Sequence, residues 1–315
     1  MKSLVRFLKD WALIVSMLVG VTGYLLYSAL PVPASMHGVA GRAVALVQPL
    51  LIFSMLFLTY CKVDVRDLRL RPWHLSLLLI QAGSFAAIGA LLISMPHSGL
   101  RVVLEGTMIC LICPTATAGA VITGRLGGNV EGITAYTILI NLAAALLIPA
   151  LVPLVHPAPG ADVVTSALLI LGKVFPLLLM PLVAAALVRR FLPSLHAALT
   201  RVSGVSFWLW TVALALALAV TARSIVHSTV NLSTQLWLVA VSLICCVAQF
   251  ALGRMIGRRY GDAVTAGQSL GQKNTVLAIW IGYTFFSPIT AVAGGFYSIW
   301  HNLVNTWQLY RHKKH

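Results

Sequence analysis

The sequence predicts an all-α membrane protein of ten transmembrane helices, built as two inverted five-helix repeats whose fourth and ninth helices are broken. Three observations carry this. Hydrophobic residues make up 59% of the chain and only 29 of 315 residues are charged, too few to give a soluble globule its polar surface. Apolar windows of about 20 residues, enough to cross a bilayer, recur ten times. Two stretches, CPTATAGA at 113–120 and GQSLGQKNT at 267–275, set proline, glycine and polar groups inside the fourth window of each half.

The windows follow one another with charged or breaking residues at their edges. The first, 11–30, follows the basic stretch Lys2 to Lys9, and the second, 43–60, lies between Arg42 and Lys62. Next come 74–95, between Arg71 and Pro96, and 102–122, between Arg101 and Arg125. The fifth, 130–153, carries Glu131 at its head, and the sixth, 163–188, runs from Asp162 to Arg189. Arg201 and Arg223 bracket 205–222, and 235–253 stops at Arg254. The ninth, 262–285, begins at Asp262, and the last, 288–309, runs from Pro288 to Arg311. An odd number of crossings per half inserts residues 159–315 upside down relative to 1–158.

Charge placement tests the count independently. With the N-terminus in the cytoplasm, 17 of the 22 Lys and Arg fall on inside segments. Arg42, Arg101 and Arg223 fall outside, and Lys173 and Lys273 lie within crossings. That bias follows the positive-inside rule, predicting a multi-pass cell-membrane protein with both termini cytoplasmic. The formal net charge of +15 then finds its partner in anionic lipid headgroups, not nucleic acid, because the basic residues alternate with crossings instead of forming one face. MKSLVRFLK followed by an apolar run and VPA at 32–34 resembles a signal peptide, but the run exceeds the usual h-region and is read as an uncleaved first helix. Of the five cysteines, Cys110, Cys113, Cys245 and Cys246 fall inside crossings, and the CxxC of Cys110 and Cys113 has no second ligand pair to make a metal site.

A lipid-exposed helix break would strand backbone polar groups, so paired breaks mark a protein-lined cavity. Broken helices at matching places in two inverted halves are the mark of secondary transporters, which bind their solute where the breaks meet. In the first break Pro114 lacks an N–H and disfavours helical geometry before it. Thr115, Thr117 and Gly119 there offer hydroxyls and close approach, and the half-helix that follows points free N–H groups at the cavity. In the second, Gly267 and Gly271 are expected to loosen the chain, while Gln268, Ser269, Gln272, Lys273, Asn274 and Thr275 form a polar cluster. Small residues packing helix on helix would account for the glycines but not for Lys273 and Asn274.

The order of CPTATAGAVIT, GGN at 127–129, GQKNTVLA at 271–278 and FYSIWHNL at 296–303 resembles the bile acid:sodium symporter family over essentially the whole chain. The resemblance implies a core domain of helices 3–5 and 8–10 moving against a panel of helices 1, 2, 6 and 7. It also implies substrate contacts at Thr117, Asn274, His301 and Asn302, to which the first break adds Thr115, and a coupling site at Gln81, Thr137, Ser269 and Lys273, to which the second break adds Gln272. Sodium-coupled members carry Ser and Asn where this chain has Gly119 and Ala120, Ser at Ile133, Glu at Ser269 and Gln at Lys273. Only Gln81 and Thr137 of the usual sodium ligands remain, which puts sodium coupling in doubt.

An ammonium at Lys273 would sit close to where the family places its second sodium, and an intramembrane charge is functional by default. All seven acids lie near predicted helix ends. Carbonyls and hydroxyls therefore solvate the lysine, or it gives up a proton, which would allow proton coupling, or an anionic solute is its partner. Lys173 reads instead as snorkelling or lining the panel. No cofactor or metal is implied. GQSLG also spells the G-x-S-x-G of a serine hydrolase, with Ser269 as nucleophile and His301 as base, but that motif needs a strand-to-helix turn. An ion antiporter or channel would need buried carboxylates or repeated filter residues, and a prenyl-transfer enzyme clustered aspartates for magnesium. The expectation is a transporter of a small organic, anionic solute, with no enzymatic role.

Overall fold

The computed structural model describes residues 12–31, 34–63, 68–201 and 205–314. The basic stretch from Lys2 to Lys9 with Asp10, the charged residues Asp64, Arg66 and Asp67, and Val32 and Pro33 of the VPA motif lie outside the described residues.

Among the described residues the architecture is all helical, and the elements follow the apolar windows closely. They are α1 (Ala12–Ala29), α2 (Ala34–Cys61), α3 (Pro72–Ser94), α4 (Arg101–Ile112), α5 (Ala118–Arg125), α6 (Val130–Val155) and α7 (Val163–Phe191). The second half continues with α8 (Pro193–Arg201), α9 (Val205–Val226), α10 (Leu232–Arg258), α11 (Ala263–Gly271), α12 (Thr275–Phe285), a 3-10 turn (Pro288–Thr290) and α13 (Ala291–Lys314). Six of these contain stretches long and apolar enough to cross a membrane: α2, α3, α6, α7, α9 and α10. The windows at 102–122 and 262–285 each resolve into two short helices, so neither piece reaches that length alone.

Side-chain caps set several boundaries. Asn129, Asp162 and Asn231 accept from the backbone N–H of Gly132, Thr165 and Thr234, satisfying first-turn donors of α6, α7 and α10. Gly127, in the turn before α6, has φ +72°, a conformation that favours glycine. One element was not expected. The helix α8 has no buried residue and is too polar for a hydropathy window to register.

Packing divides the helices by neighbour: α1 lies on α9, and α2 on α7 and α9, while α3 packs with α4 and α6, and α10 with α4, α11 and α13. Contacts of α6 with α7, and of α9 with α12 and α13, join the two groups. At the end where α3, α6 and α11 begin, Asp262 accepts from Arg71 at 2.9 Å and from the Trp73 indole at 3.1 Å, and also bonds Thr265, whose hydroxyl accepts from Asn129 N. This clasp fixes the start of the second broken crossing against both flanking helices.

The glycines of the second break act otherwise than expected. Gly267 and Gly271 lie within α11, and a Cβ at Gly271 would stand 2.3 Å from the Phe250 ring. On the facing helix, a Cβ at Gly253 would stand 2.5 Å from the Ala266 carbonyl. Their work is close helix packing, and the chain leaves the helix only at Gln272.

A candidate solute site at the helix crossing

The first helix stops because Pro114 has no N–H to continue it. Cys113 N still reaches Ile109 O, and residues 113–117 then run between α4 and α5. The second gap is shorter, Gln272 to Asn274 between α11 and α12. The two meet as an isolated antiparallel bridge between Thr115 and Lys273. Ala116 N donates to Gln272 O at 2.9 Å, and Asn274 N to Pro114 O at 2.8 Å. Antiparallel pairing is what two chain segments crossing a membrane in opposite directions can form.

Nearly every carbonyl freed by the breaks finds a donor, as membrane depth demands. Gln81 Nε2, from α3, donates to Ile112 O at 3.1 Å and Cys113 O at 2.9 Å, and its own Oε1 accepts from Tyr136 at 2.9 Å. Thr115 donates to Ser269 O at 2.6 Å, the Cys113 thiol to Asn274 O at 2.8 Å, and Tyr297 to Gly271 O at 2.9 Å. Leu111 O has only the Lys273 ammonium, at 3.4 Å.

Thr115, Ser269, Gln272, Lys273 and Asn274 thus come together, all buried. Lys273 is 1% exposed; among the described residues no carboxylate lies within 4.0 Å of its ammonium, and its one polar contact is long. Asn274 caps α12 through Leu277 N, and Thr117 opens α5 without a side-chain cap, so two half-helix N-termini start at the crossing. The Ser269 hydroxyl is buried, with no hydrogen-bond partner among the described residues.

His301 is one step removed. Its ring stands edge-on to Tyr297 at 5.8 Å, and its Nδ1 is buried without a partner. Two other expected residues are engaged in their own helices: Asn302 donates to Ser298 O and Thr137 to Ile133 O. Missed were the partners Asn305, Gln308 and Arg254, which extend Gln268 and Gln272 into a polar chain. Asn305 donates to Gln272 Oε1 at 2.6 Å, Gln268 donates to Asn305 and Gln308, and Arg254 reaches Gln308. Asn305 and Gln308, polar side chains in a membrane-crossing window, were the readable signal.

At Gly119, one of the positions where the resemblance places a sodium ligand, hydrocarbon fills the space. A Cβ at Gly119 would lie 3.0 Å from Ile133 Cδ1 and 3.3 Å from Gln272 Cγ. Of the acids expected at helix ends, Glu105 is buried after all, a turn inside α4, where it pairs with Arg101 at 3.2 Å and faces His156 at 3.5 Å. GQSL is helical and not a strand-to-helix elbow, and Ser269 Oγ bonds no histidine, so this geometry offers no nucleophile–base pair. Among the described residues no three His, Cys, Asp or Glu side chains group at metal-binding distance.

No curated protein matches the chain. The model of the SBF-like CPA transporter family (DUF4137) matches residues 14–298 and bears out the resemblance to bile acid:sodium symporters. With crossed half-helices inside a bundle of apolar helices, the chain belongs to that family and is a multi-pass membrane transporter.

Proposed function

We propose that the protein is a secondary active transporter that carries a small organic anion by alternating access, with Lys273 supplying the positive charge that sodium supplies in sodium-coupled members. One observation carries the reading: a fully buried ammonium at the crossing with a single long carbonyl contact and two half-helix N-termini beside it. Such a cation needs a counter-charge, and an anionic solute brings one. The unpartnered Ser269 hydroxyl and His301 Nδ1 are further polar atoms for it. Gly119, Ala120 and Ile133 give sodium no side-chain oxygen, Thr137 is turned to its own helix, and an ammonium repels a nearby cation, so this set of side chains does not fit sodium.

Counting α4 with α5 and α11 with α12 as single crossings, and setting α8 aside, gives ten. Within residues 1–158 and 159–315 the fourth crossing is the broken one, which supports two inverted repeats. The packing of α3, α4 and α6 with α10, α11 and α13 supports a core of crossings 3–5 and 8–10, and that of α1, α2, α7 and α9 a panel. The charge asymmetry puts both termini in the cytoplasm of a cell-membrane protein. Reporter fusions at residues 1 and 315 are expected to read inside, and an external C-terminus would mean that a crossing is miscounted.

Thermal unfolding of the purified protein against a set of small carboxylates, in sodium and in potassium buffers, tests the function. A bound carboxylate at about 100 times its Kd stabilises by about 2.7 kcal/mol. The expected result is stabilisation of equal size in both salts. Stabilisation that appears only in sodium would overturn sodium independence, and stabilisation by cations instead of carboxylates would overturn the anion reading.

A further inference from the structure

A half-open cavity, lined mostly by apolar surface with several polar side chains, lies away from the crossing, where α9 and α12 end and α10 begins. It encloses about 300 Å³, at the small end of ligand pockets. Arg223 in the last turn of α9 and His227 just past its end, whose N–H donates to Arg223 O at 3.0 Å, line it together with Tyr283 of α12 and Ser287 at the start of the 3-10 turn. Its floor is apolar, from Val102, Val230 and Ile289.

Its charge is unbalanced. The neighbouring outer-end arginine, Arg101, is neutralised by Glu105 at 3.2 Å. Among the described residues Arg223 has no carboxylate within 4.0 Å, and its guanidinium donates to the Tyr283 hydroxyl at 3.3 Å. The Ser287 hydroxyl is buried and has no hydrogen-bond partner. A guanidinium, an imidazole and a spare hydroxyl around a small cavity with an apolar floor are the parts of a carboxylate site.

We propose that this cavity is an oxyanion site that takes the carboxylate of the transported solute before it reaches the crossing; this rests on the organic-anion reading above. A carboxylate can pair bidentately with the Arg223 guanidinium, which the single phenol oxygen cannot, so it takes the Arg223 fork from Tyr283. Tyr283 belongs to α12, whose other end is Asn274 beside Lys273. Occupancy here therefore frees the outer end of the half-helix that carries one side of the crossing.

The test needs no transport. Thr229, exposed at the rim, is replaced by cysteine in the full chain, in phosphatidylcholine nanodiscs; the native cysteines are all buried. The introduced thiol is expected to react about tenfold faster with an anionic sulfonate methanethiosulfonate than with its trimethylammonium counterpart. Millimolar benzoate is expected to slow the anionic reagent. Arg223→Gln should remove both the preference and the protection, while Arg223→Lys should keep the preference and lose most of the protection, because lysine lacks the planar fork. Equal reaction rates for the two reagents, or benzoate protection that survives Arg223→Gln, would overturn the proposal. Loss of both effects in phosphatidylglycerol nanodiscs would assign the site to a lipid headgroup and overturn the solute assignment. Lys273→Gln added to the Thr229→Cys chain should leave its labelling as in Thr229→Cys alone, so a failure at the crossing is distinguishable from a failure here.

Discussion

Replacing Lys273 by glutamine is expected to weaken binding of the transported anion by about 10- to 100-fold, as loss of a charge-assisted hydrogen bond worth roughly 1.5–3 kcal/mol implies. Lys273→Met should do the same and also raise the thermal stability of the ligand-free protein. The opposite signs follow from the site. The ammonium is buried, its carbonyl contact is long, and no carboxylate answers it, so in the empty protein it costs more than it returns. Effects on stability and on binding are read in one thermal-unfolding series with and without carboxylate. A structural lysine, present only to satisfy Leu111 O, would show the reverse: lower stability in the methionine variant with anion affinity unchanged. Sodium dependence should not appear in the glutamine variant, because Gly119, Ala120 and Ile133 still supply no ligands. The pH profile separates two versions of the cycle. A lysine that releases its proton during transport makes uptake follow pH, and glutamine abolishes that dependence; a lysine that stays charged loses anion affinity on replacement with the profile unchanged.

The helices were legible because hydropathy and charge act locally. Each apolar window became a helix or a broken pair, and the breaks fell at Pro114 and within the polar cluster from Gln268 to Thr275, at its residues 272–274. What sequence could not show was pairing across the molecule. That Gln81 would answer the carbonyls of Ile112 and Cys113, or Tyr297 that of Gly271, depends on helices 26 to 32 residues apart coming together in one register. Gly271 was misread for the same reason: flexibility and close packing call for the same missing Cβ, and only the Phe250 ring against it distinguishes them. Asn302 and Thr137 satisfied themselves on their own helices, an option open to any such side chain in a membrane helix.

Gln81 gives the second large effect, and here stability is the quantity that moves. Its amide nitrogen serves Ile112 O and Cys113 O, and its oxygen accepts from Tyr136, so Gln81→Leu strands two carbonyls and a phenol at a buried position. Each buried group left without a partner costs about 1–3 kcal/mol, which puts the total near 3–6 kcal/mol once partial relaxation is allowed. The denaturation midpoint of the purified protein should fall by roughly 10 °C or more on the scaling for larger domains. Adding Tyr136→Phe removes one of the stranded groups, so the double variant should recover about 1–2 kcal/mol over Gln81→Leu alone, although Tyr136→Phe by itself destabilises. A coupling-site ligand would behave differently: replacing it would weaken solute binding and leave the empty protein as stable as before. An unchanged midpoint in Gln81→Leu would therefore refute the backbone-capping role and return Gln81 to the coupling site.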